Sequence, residues 1–428
     1  MISSYQDALR FLYDNLPMFQ RVGAAAIRKD LTNTLKLCAL LGDPQHKFKS
    51  IHVAGTNGKG SICHMLASVL QEAGYRTGLY TSPHLKAFTE RIRVDGQEVA
   101  QSYVLDFVNR IRPAIEEIRP SFFEITVAMA FDYFARQSVE VAVVETGLGG
   151  RLDSTNVITP VVSVITNISW DHKDVLGDTL EQIAREKAGI VKKKVPVVIS
   201  ERQETLDAIF IDRADTEGAP LFFASDEYTA GEDEATGALL VRKEGEVVLS
   251  VTDFPLRGQY QRHNVPAVVK VVDVLRANYR IDQDHLEKGL RNVVGNTGLK
   301  GRWQILQRRP MVVCDTAHNL GGMRQVVEQL HRYRFSRLFI VLGMVKDKDI
   351  REVLSIMPSE AVYYFCEANL PRAMDACQLQ EEAAKAGLRG QVIRDVNEAK
   401  AEALKQAQED DFVLIGGSTY VVAELEDL

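Results

Sequence analysis

Apolar positions along the chain switch between two spacings. From residue 50 to 200, short β-branched runs (IHVA at 51–54, TGLYT at 77–81, VAVVET at 141–146, VVSVITNI at 161–168, VPVVIS at 195–200) alternate with segments of helical period. Strands buried on both faces read as continuous apolar runs, so this alternation predicts an α/β fold with a doubly wound, mostly parallel sheet. From 220 to 256 the pattern changes to LFFASDEY and ALLVRKEGEVVLSVTDF around a Lys-Glu-Gly turn, which predicts a small antiparallel β element. Helical spacing returns over 262–277 and 284–292, and the polar stretch GNTGLKG at 295–301 reads as a linker. The alternation then restarts with MVVC, RLFIVLG, AVYYFCE, QVIRDV and DFVLIGG, predicting a smaller, Rossmann-like C-terminal α/β domain. The expected division is therefore 1–297 and 298–428. The charged segment EAKAEALKQAQED at 398–410 reads as a solvated surface helix.

One loop interrupts this pattern with chemistry. GTNGKGS at 55–61 is entered from the run IHVA and left through Ile62, Met65, Leu66, Val69 and Leu70, the i, i+3, i+4, i+7, i+8 spacing of an amphipathic helix. Gly55, Gly58 and Gly60 permit a tight turn that presents bare N–H groups, Lys59 supplies a point charge, and Ser61 a hydroxyl suited to Mg²⁺. This is a variant P-loop: two residues separate its first glycine from the Gly-Lys pair where the common loop has four. The alternative is a glycine-rich strand-to-helix turn without a ligand. A helix end contributes only about 0.3–1 kcal/mol toward a nearby anion, so Lys59 and a metal must supply most of the attraction to a triphosphate.

Composition narrows the choices. At 428 residues two or three domains are expected, and a hydrophobic fraction of 46% with a net charge of −7 describes an ordinary globular protein. The mild acidity disfavours nonspecific binding of nucleic acid. Five cysteines without a CxxC pair, at 38, 63, 314, 366 and 377, read as reduced core residues. No segment is apolar enough to span a membrane, and the N-terminus lacks a basic start followed by an apolar run, so a cytoplasmic protein is expected.

Further polar groups follow the apolar runs, where ligands of such sheets bind. Glu145 ends VAVVE, and TNISWDH ends at His172. With the hydroxyls of Ser61 and Ser82, these donors suit Mg²⁺ or Mn²⁺, although His172 taken alone reads as a structural hydrogen-bonding residue. Lys187 lies in EQIAREKAGIVK at 181–192, where spacing alone suggests a surface lysine. If desolvated, its amine can capture CO₂ as a carbamate.

The ordered set GTNGKGS, TSPHL at 81–85, GLGGRLDSTN at 147–156, TNISWDH at 166–172 and EKAGI at 186–190 resembles the folylpolyglutamate synthase/dihydrofolate synthase family, from near residue 10 to the C-terminus. The same motif order, more loosely, marks the Mur ligases, in which ATP phosphorylates a carboxylate and an amine then displaces phosphate. With the loop starting at residue 55 there is no room for the preceding domain of UDP-linked Mur enzymes, so folate-type substrates match better. The resemblance implies that Asn57, Gly58, Lys59, Gly60 and Ser61 bind ATP, with Asn264 at the adenine, Arg302 at the phosphates and Asp315 at the ribose. It implies Ser61, Ser82, Glu145 and His172 as ligands of two Mg²⁺ ions, and Lys187 as an N6-carboxylysine. Lys59, Lys187 and Arg302 then carry catalysis, and a site shared by two domains that close on ATP is implied. Ser121, Phe122, Phe123, Glu124, Leu152, Asp153 and Ser154 match the segments that hold dihydropteroate; SFFE alone reads equally as a serine-capped helix start. L-glutamate, dihydropteroate, tetrahydrofolate and its polyglutamates are the implied substrates of a monomer, with glutamate on the C-terminal domain.

The bifunctional bacterial type is the closer resemblance. Alternatives are folylpolyglutamate synthase activity alone, a Mur-type amino-acid ligase, a P-loop kinase or ATPase switch, and a nonenzymatic nucleotide-binding module. The chain departs from the family pattern at Thr316 (glycine is usual), Tyr260 (histidine is common), Trp170, and FQRVGAAAIRKDLTNT at 19–34.

Overall fold

The computed structural model describes residues 1–18, 23, 30–346 and 350–428. Most of the departing segment 19–34 lies outside them. The chain forms two compact units: Met1–Ser169, Lys173–Pro255 and Arg262–Gly298 make the first, and Trp170–His172, Leu256–Gln261 and Leu299–Leu428 the second.

The first unit is built on an eight-stranded sheet whose order is Gln97–Glu98, Ile92–Val94, Thr77–Tyr80, Val141–Glu145, Lys49–Ala54, Val162–Ile165, Val197–Ile199 and Leu221–Phe223. The five expected runs are its parallel centre. Lys49–Ala54 occupies an interior position and buries every residue but the first, as two covered faces require. Inside the edge strand Gln97–Glu98, Ile92–Val94 pairs antiparallel with Thr77–Tyr80; at three residues it is too short to establish a period. Leu221–Phe223 corrects the expectation for 220–256: it adds parallel to Val197–Ile199 as the other edge strand. The antiparallel element is confined to Tyr228–Glu232, Leu239–Lys243 and Glu246–Val251, a separate three-stranded sheet.

The helix Lys59–Glu72 that leaves the glycine loop is buried over every residue from Ser61 to Leu70, not on one stripe. Packing explains this. The helix Gln283–Arg291 covers its outer side so closely that a Cβ on Gly289 would sit 2.5 Å from Val69 Cα, and Ser68 Oγ donates to Gly289 O at 2.7 Å. The stretch read as a linker begins as a helix, Val293–Thr297, ended by Gly298 at φ 67°. Its polar Thr297 is wholly buried because it meets His64 Nδ1 at 2.8 Å, a partner that the local pattern cannot show.

The second unit carries a six-stranded sheet in the order Gln304–Arg308, Met311–Cys314, Phe412–Gly416, Leu338–Leu342, Val362–Phe365 and Gly390–Val392. All pairs are parallel except the first, where the unanticipated Gln304–Arg308 runs antiparallel at the edge. Trp303, 1% exposed, packs with Tyr333 and Phe412 and donates its indole N–H to Tyr333 Oη at 3.0 Å. The charged stretch 398–410 is mostly the helix Val396–Gln406, which buries only Val396, Ala399 and Ala403. Four cysteines are buried thiols; Cys377 differs, lying exposed in the first turn of the helix Ala376–Lys385.

Candidate active site

In the first unit the glycine loop bridges the central strand Lys49–Ala54 and the helix Lys59–Glu72. Gly55 has φ 141°, and a Cβ there would stand 1.8 Å from Thr166 Oγ1; Gly58 has φ 88°, and its Cβ would stand 2.3 Å from Asn264 Oδ1. Both glycines are therefore required by backbone conformation and by close approach. Asn264 is brought directly onto the loop.

The segment after Val162–Ile165 braces the loop from one side. Thr56 N–H donates to Asn167 O at 2.8 Å, Asn57 N–H to Asn167 Oδ1 at 3.1 Å, Ser169 N–H to Thr56 Oγ1 at 3.0 Å, and Thr166 Oγ1 to Asn57 O at 2.5 Å. Gln203 holds the same segment, accepting Ile168 N–H at 2.8 Å and donating to Ile168 O at 2.9 Å. Thr166, Asn167 and Gln203 had no role in the sequence reading. The first two stood within TNISWDH, in which only the terminal histidine was given a site role.

Two amines converge on one carbonyl. Lys59 Nζ donates to Gly55 O at 3.1 Å and Thr56 O at 3.1 Å, and Lys187 Nζ donates to Gly55 O at 2.7 Å. Lys187, in the last turn of the helix Leu180–Ala188, is 4% exposed, so the surface reading of this lysine does not hold. Its helix end is fixed by the loop 147–156: Arg151 N–H donates to Glu186 O at 2.8 Å, and Asn156 Nδ2 bridges Arg151 O and Gly189 O at 3.0 and 3.1 Å. Two lysine amines on one acceptor concentrate basic groups at the start of the loop helix.

Glu145 ends the strand Val141–Glu145, level with Val53 across the ladder, and its Oε2 accepts Ser82 N–H at 3.0 Å. Glu145 and Ser61 are both buried. Burial pushes the Cys63 thiol well up, with Glu145 adding to the rise and Lys59 opposing it. A buried carboxylate and a serine hydroxyl are donors that fit a hard divalent cation. Among the described residues no cluster of three or more His, Cys, Asp or Glu side chains is placed to hold a metal.

His172 belongs to the second unit, at φ 50°. Its N–H donates to Asp171 Oδ1 at 3.0 Å, and Asp171 Oδ2 lies 3.7 Å from His172 Nε2, 3.9 Å from His318 Nε2 and 3.4 Å from Asn319 Nδ2. Asp171, His318 and Asn319 were missed, though DH and HN flank the residues singled out. Asp315 is buried: Oδ2 accepts from Tyr260 Oη at 2.6 Å and Trp303 N at 2.7 Å, and Oδ1 from Ala317 N at 2.8 Å. Burial raises its pKa, opposed by Tyr260 and then Arg302. Arg302 donates to Thr316 Oγ1 and, at 3.3 Å, to Gly301 O, so the hydroxyl at this departing position serves the arginine.

Ser121 caps the helix Phe122–Arg136 in a capping box: Glu124 N–H donates to Ser121 Oγ at 3.2 Å and Ser121 N–H to Glu124 Oε2 at 2.6 Å. The serine-cap reading of SFFE thus holds for these two side chains. Phe122 is buried in the core, while the partly buried Phe123 lies over Gly147, where a Cβ would meet the ring at 2.3 Å. Asp153, buried, caps the short helix Ser154–Val157; Leu152 and Ser154 beside it are half-buried.

Comparison with known proteins gives this arrangement a class. The Mur ligase middle domain matches residues 53–272, and the Mur ligase glutamate ligase domain matches 301–419. The dihydrofolate synthase/folylpolyglutamate synthase of Bacillus subtilis is 33% identical, covering 99% of each chain. A probable bifunctional folylpolyglutamate synthase/dihydropteroate synthase of Haloferax volcanii is 35% identical over 98% of this chain, which spans only 50% of that relative's length. Among solved structures, E. coli FolC in complex with DHPP and ADP is similar with TM-score 0.85 and 30% identity, covering 98% of this chain and 96% of that one. A bifunctional folylpolyglutamate synthase/dihydrofolate synthase with Mn, AMPPNP and L-glutamate bound is similar with TM-score 0.83 and 28% identity, covering 98% of this chain and 97% of that one. The chain belongs to the dihydrofolate synthase/folylpolyglutamate synthase family of Mur ligases.

Proposed function

We propose that the chain is an ATP-dependent ligase that joins L-glutamate to dihydropteroate and to the γ-carboxylate of folates through an acyl phosphate. The observation that carries this reading is the convergence of Lys59 and Lys187 on the Gly55 carbonyl. The loop amides and Lys59 hold the triphosphate, with Asn57, Gly58, Gly60 and Asn264 around it and Arg302 and Asp315 assigned to its phosphate and ribose ends. Ser61, Ser82, Glu145 and His172 are assigned to Mg²⁺, which when bound neutralises phosphate charge. Lys187 takes up CO₂ as a carbamate: its ammonium first gives up one proton, the freed amine forms the N–C bond and loses a second, so that a fixed anion replaces a cation beside Lys59.

In the reaction a carboxylate oxygen of the pteroate or folate attacks the γ-phosphorus and ADP leaves. The glutamate amine then attacks the acyl carbon, phosphate departs with the former carboxylate oxygen, and the amine loses its proton. No side chain becomes acylated. Positioning and charge neutralisation carry the chemistry. Phe123 offers a ring face to the pterin and Asp153 accepts its N–H donors. The similarity of FolC in complex with DHPP supports the dihydropteroate substrate, and the complex with Mn, AMPPNP and L-glutamate supports the other reactants. We place the enzyme in the cytoplasm as a monomer.

The test is ADP release from ATP and Mg²⁺, with and without glutamate, using dihydropteroate and separately tetrahydrofolate. Glutamate-dependent release with both acceptors is expected. Release with tetrahydrofolate alone would reduce the proposal to polyglutamate extension, and glutamate-independent release would overturn it.

A further inference from the structure

His52 is an anomaly in the apolar centre of the strand Lys49–Ala54, a fully buried imidazole three residues ahead of the glycine loop. Its Nε2 lies 2.8 Å from Thr155 Oγ1. The single hydroxyl hydrogen of Thr155 is donated to Asp153 Oδ1 at 2.5 Å, and the same oxygen accepts Thr155 N–H at 3.0 Å. Leu148 N–H occupies the other oxygen, Oδ2, at 2.8 Å. With the hydroxyl hydrogen committed to the carboxylate, the imidazole has to be the donor, so its proton sits on Nε2. Burial, reinforced by the charge of Lys192, pushes the ring down to about 3, which keeps it neutral.

The other ring nitrogen, Nδ1, is buried with no hydrogen-bond partner among the described residues. An unpaired buried acceptor is costly, and an apolar residue would fill this strand position without it. The compensating interaction is the one with Thr155. That chain of contacts runs from the strand beneath the glycine loop through the Thr155 hydroxyl to the carboxylate assigned above to the pterin, which the amides of Leu148 and Thr155 also hold.

We propose that His52 is a positioning residue that acts through the Thr155 hydroxyl to aim the Asp153 carboxylate at the pterin, and so sets affinity for the folate-type acid but not for ATP. The role rests on the assignment of Asp153 in the proposed function; the relay itself rests on geometry alone.

The experiment uses the full chain with His52→Phe, His52→Gln, Thr155→Val and Thr155→Ser. Gln keeps a donor near the place of Nε2, and Ser keeps the hydroxyl. His52→Phe and Thr155→Val are expected to raise KM for dihydropteroate by about tenfold or more, the scale of one lost buried hydrogen bond, with KM for ATP within about twofold. Gln and Ser should recover most of the loss. If His52→Phe does not fold, Thr155→Val carries the test. KM values that stay put, or that rise equally for both substrates, overturn the proposal. Ring ¹⁵N NMR of His52 separates this failure from that of the functional reading: the neutral Nε2–H tautomer is expected even if the wild-type protein shows no glutamate-dependent ADP release, and an Nδ1–H tautomer would refute the relay.

Discussion

Burial of ionisable side chains has consequences that can be read one residue at a time. The His52 pKa falls from the ordinary 6.5 to about 3 in the folded chain. Below pH 6.5 the unfolded state therefore binds a proton that the folded state refuses. This contribution to stability is complete above the unfolded pKa and is lost as pH falls from 6.5 toward 3. Between pH 7 and pH 5 the loss due to this one group is about 2 kcal/mol. Urea unfolding of the wild type and His52→Gln at the two pH values should show the variant losing less by roughly that amount. An equal loss in both would mean that His52 is protonated when folded.

Glu145 offers a second single-residue test. Glu145→Gln keeps an oxygen to accept Ser82 N–H but removes the charge proposed to hold Mg²⁺. ADP release should fall by at least about tenfold, partly restored by higher Mg²⁺, with little change in melting temperature. Activity unchanged at limiting Mg²⁺ would remove Glu145 from the metal site. That Glu145 follows a strand was legible from VAVVE, and its carboxylate was a candidate for that reason. The burial of Lys187 was not legible, because EQIAREKAGI carries the spacing of an ordinary exposed helix end; only the packing of loop 147–156 against that end takes the lysine out of water.

At the scale of elements, the capping box at the start of Phe122–Arg136 makes a separable prediction. Ser121→Ala removes the acceptor for Glu124 N–H and should cost about 1 kcal/mol in urea unfolding. A cost near zero would show that the helix start is held by its neighbours. The central strands were legible because a strand covered on both faces must be apolar throughout. Edge strands were not: Gln304–Arg308 buries none of its residues fully and leaves Gln307 and Arg308 exposed, so its apolar pair Ile305 and Leu306 is too short a run to mark a strand. Leu221–Phe223 was read with the antiparallel element because its aromatic run continues smoothly into 224–228, and nothing local indicates that the chain changes sheet at Ala224–Glu227.

For the molecule as a whole, two units with separate sheets and cores predict unfolding that departs from a single transition. The chain has two tryptophans, Trp170 and Trp303, and both belong to the second unit. Their fluorescence reports that unit, whereas far-UV circular dichroism reports both. The two signals should give non-coincident urea midpoints; one shared midpoint, with a slope suited to 428 residues, would mean that the units unfold together.

What the sequence alone determined was the alternation of strands and helices, the glycine loop, and the order of the polar motifs that follow the strands, because these depend on local spacing and on residue types with few other uses. What only the tertiary structure decided was which polar atoms meet. Lys59 and Lys187 share the Gly55 carbonyl across 132 positions of chain, His52 finds Thr155 across 103, and Asn264 closes on Gly58. Such meetings are set by strand order and helix packing, which bring distant residues within 3 Å while leaving no periodic trace in the sequence around either partner.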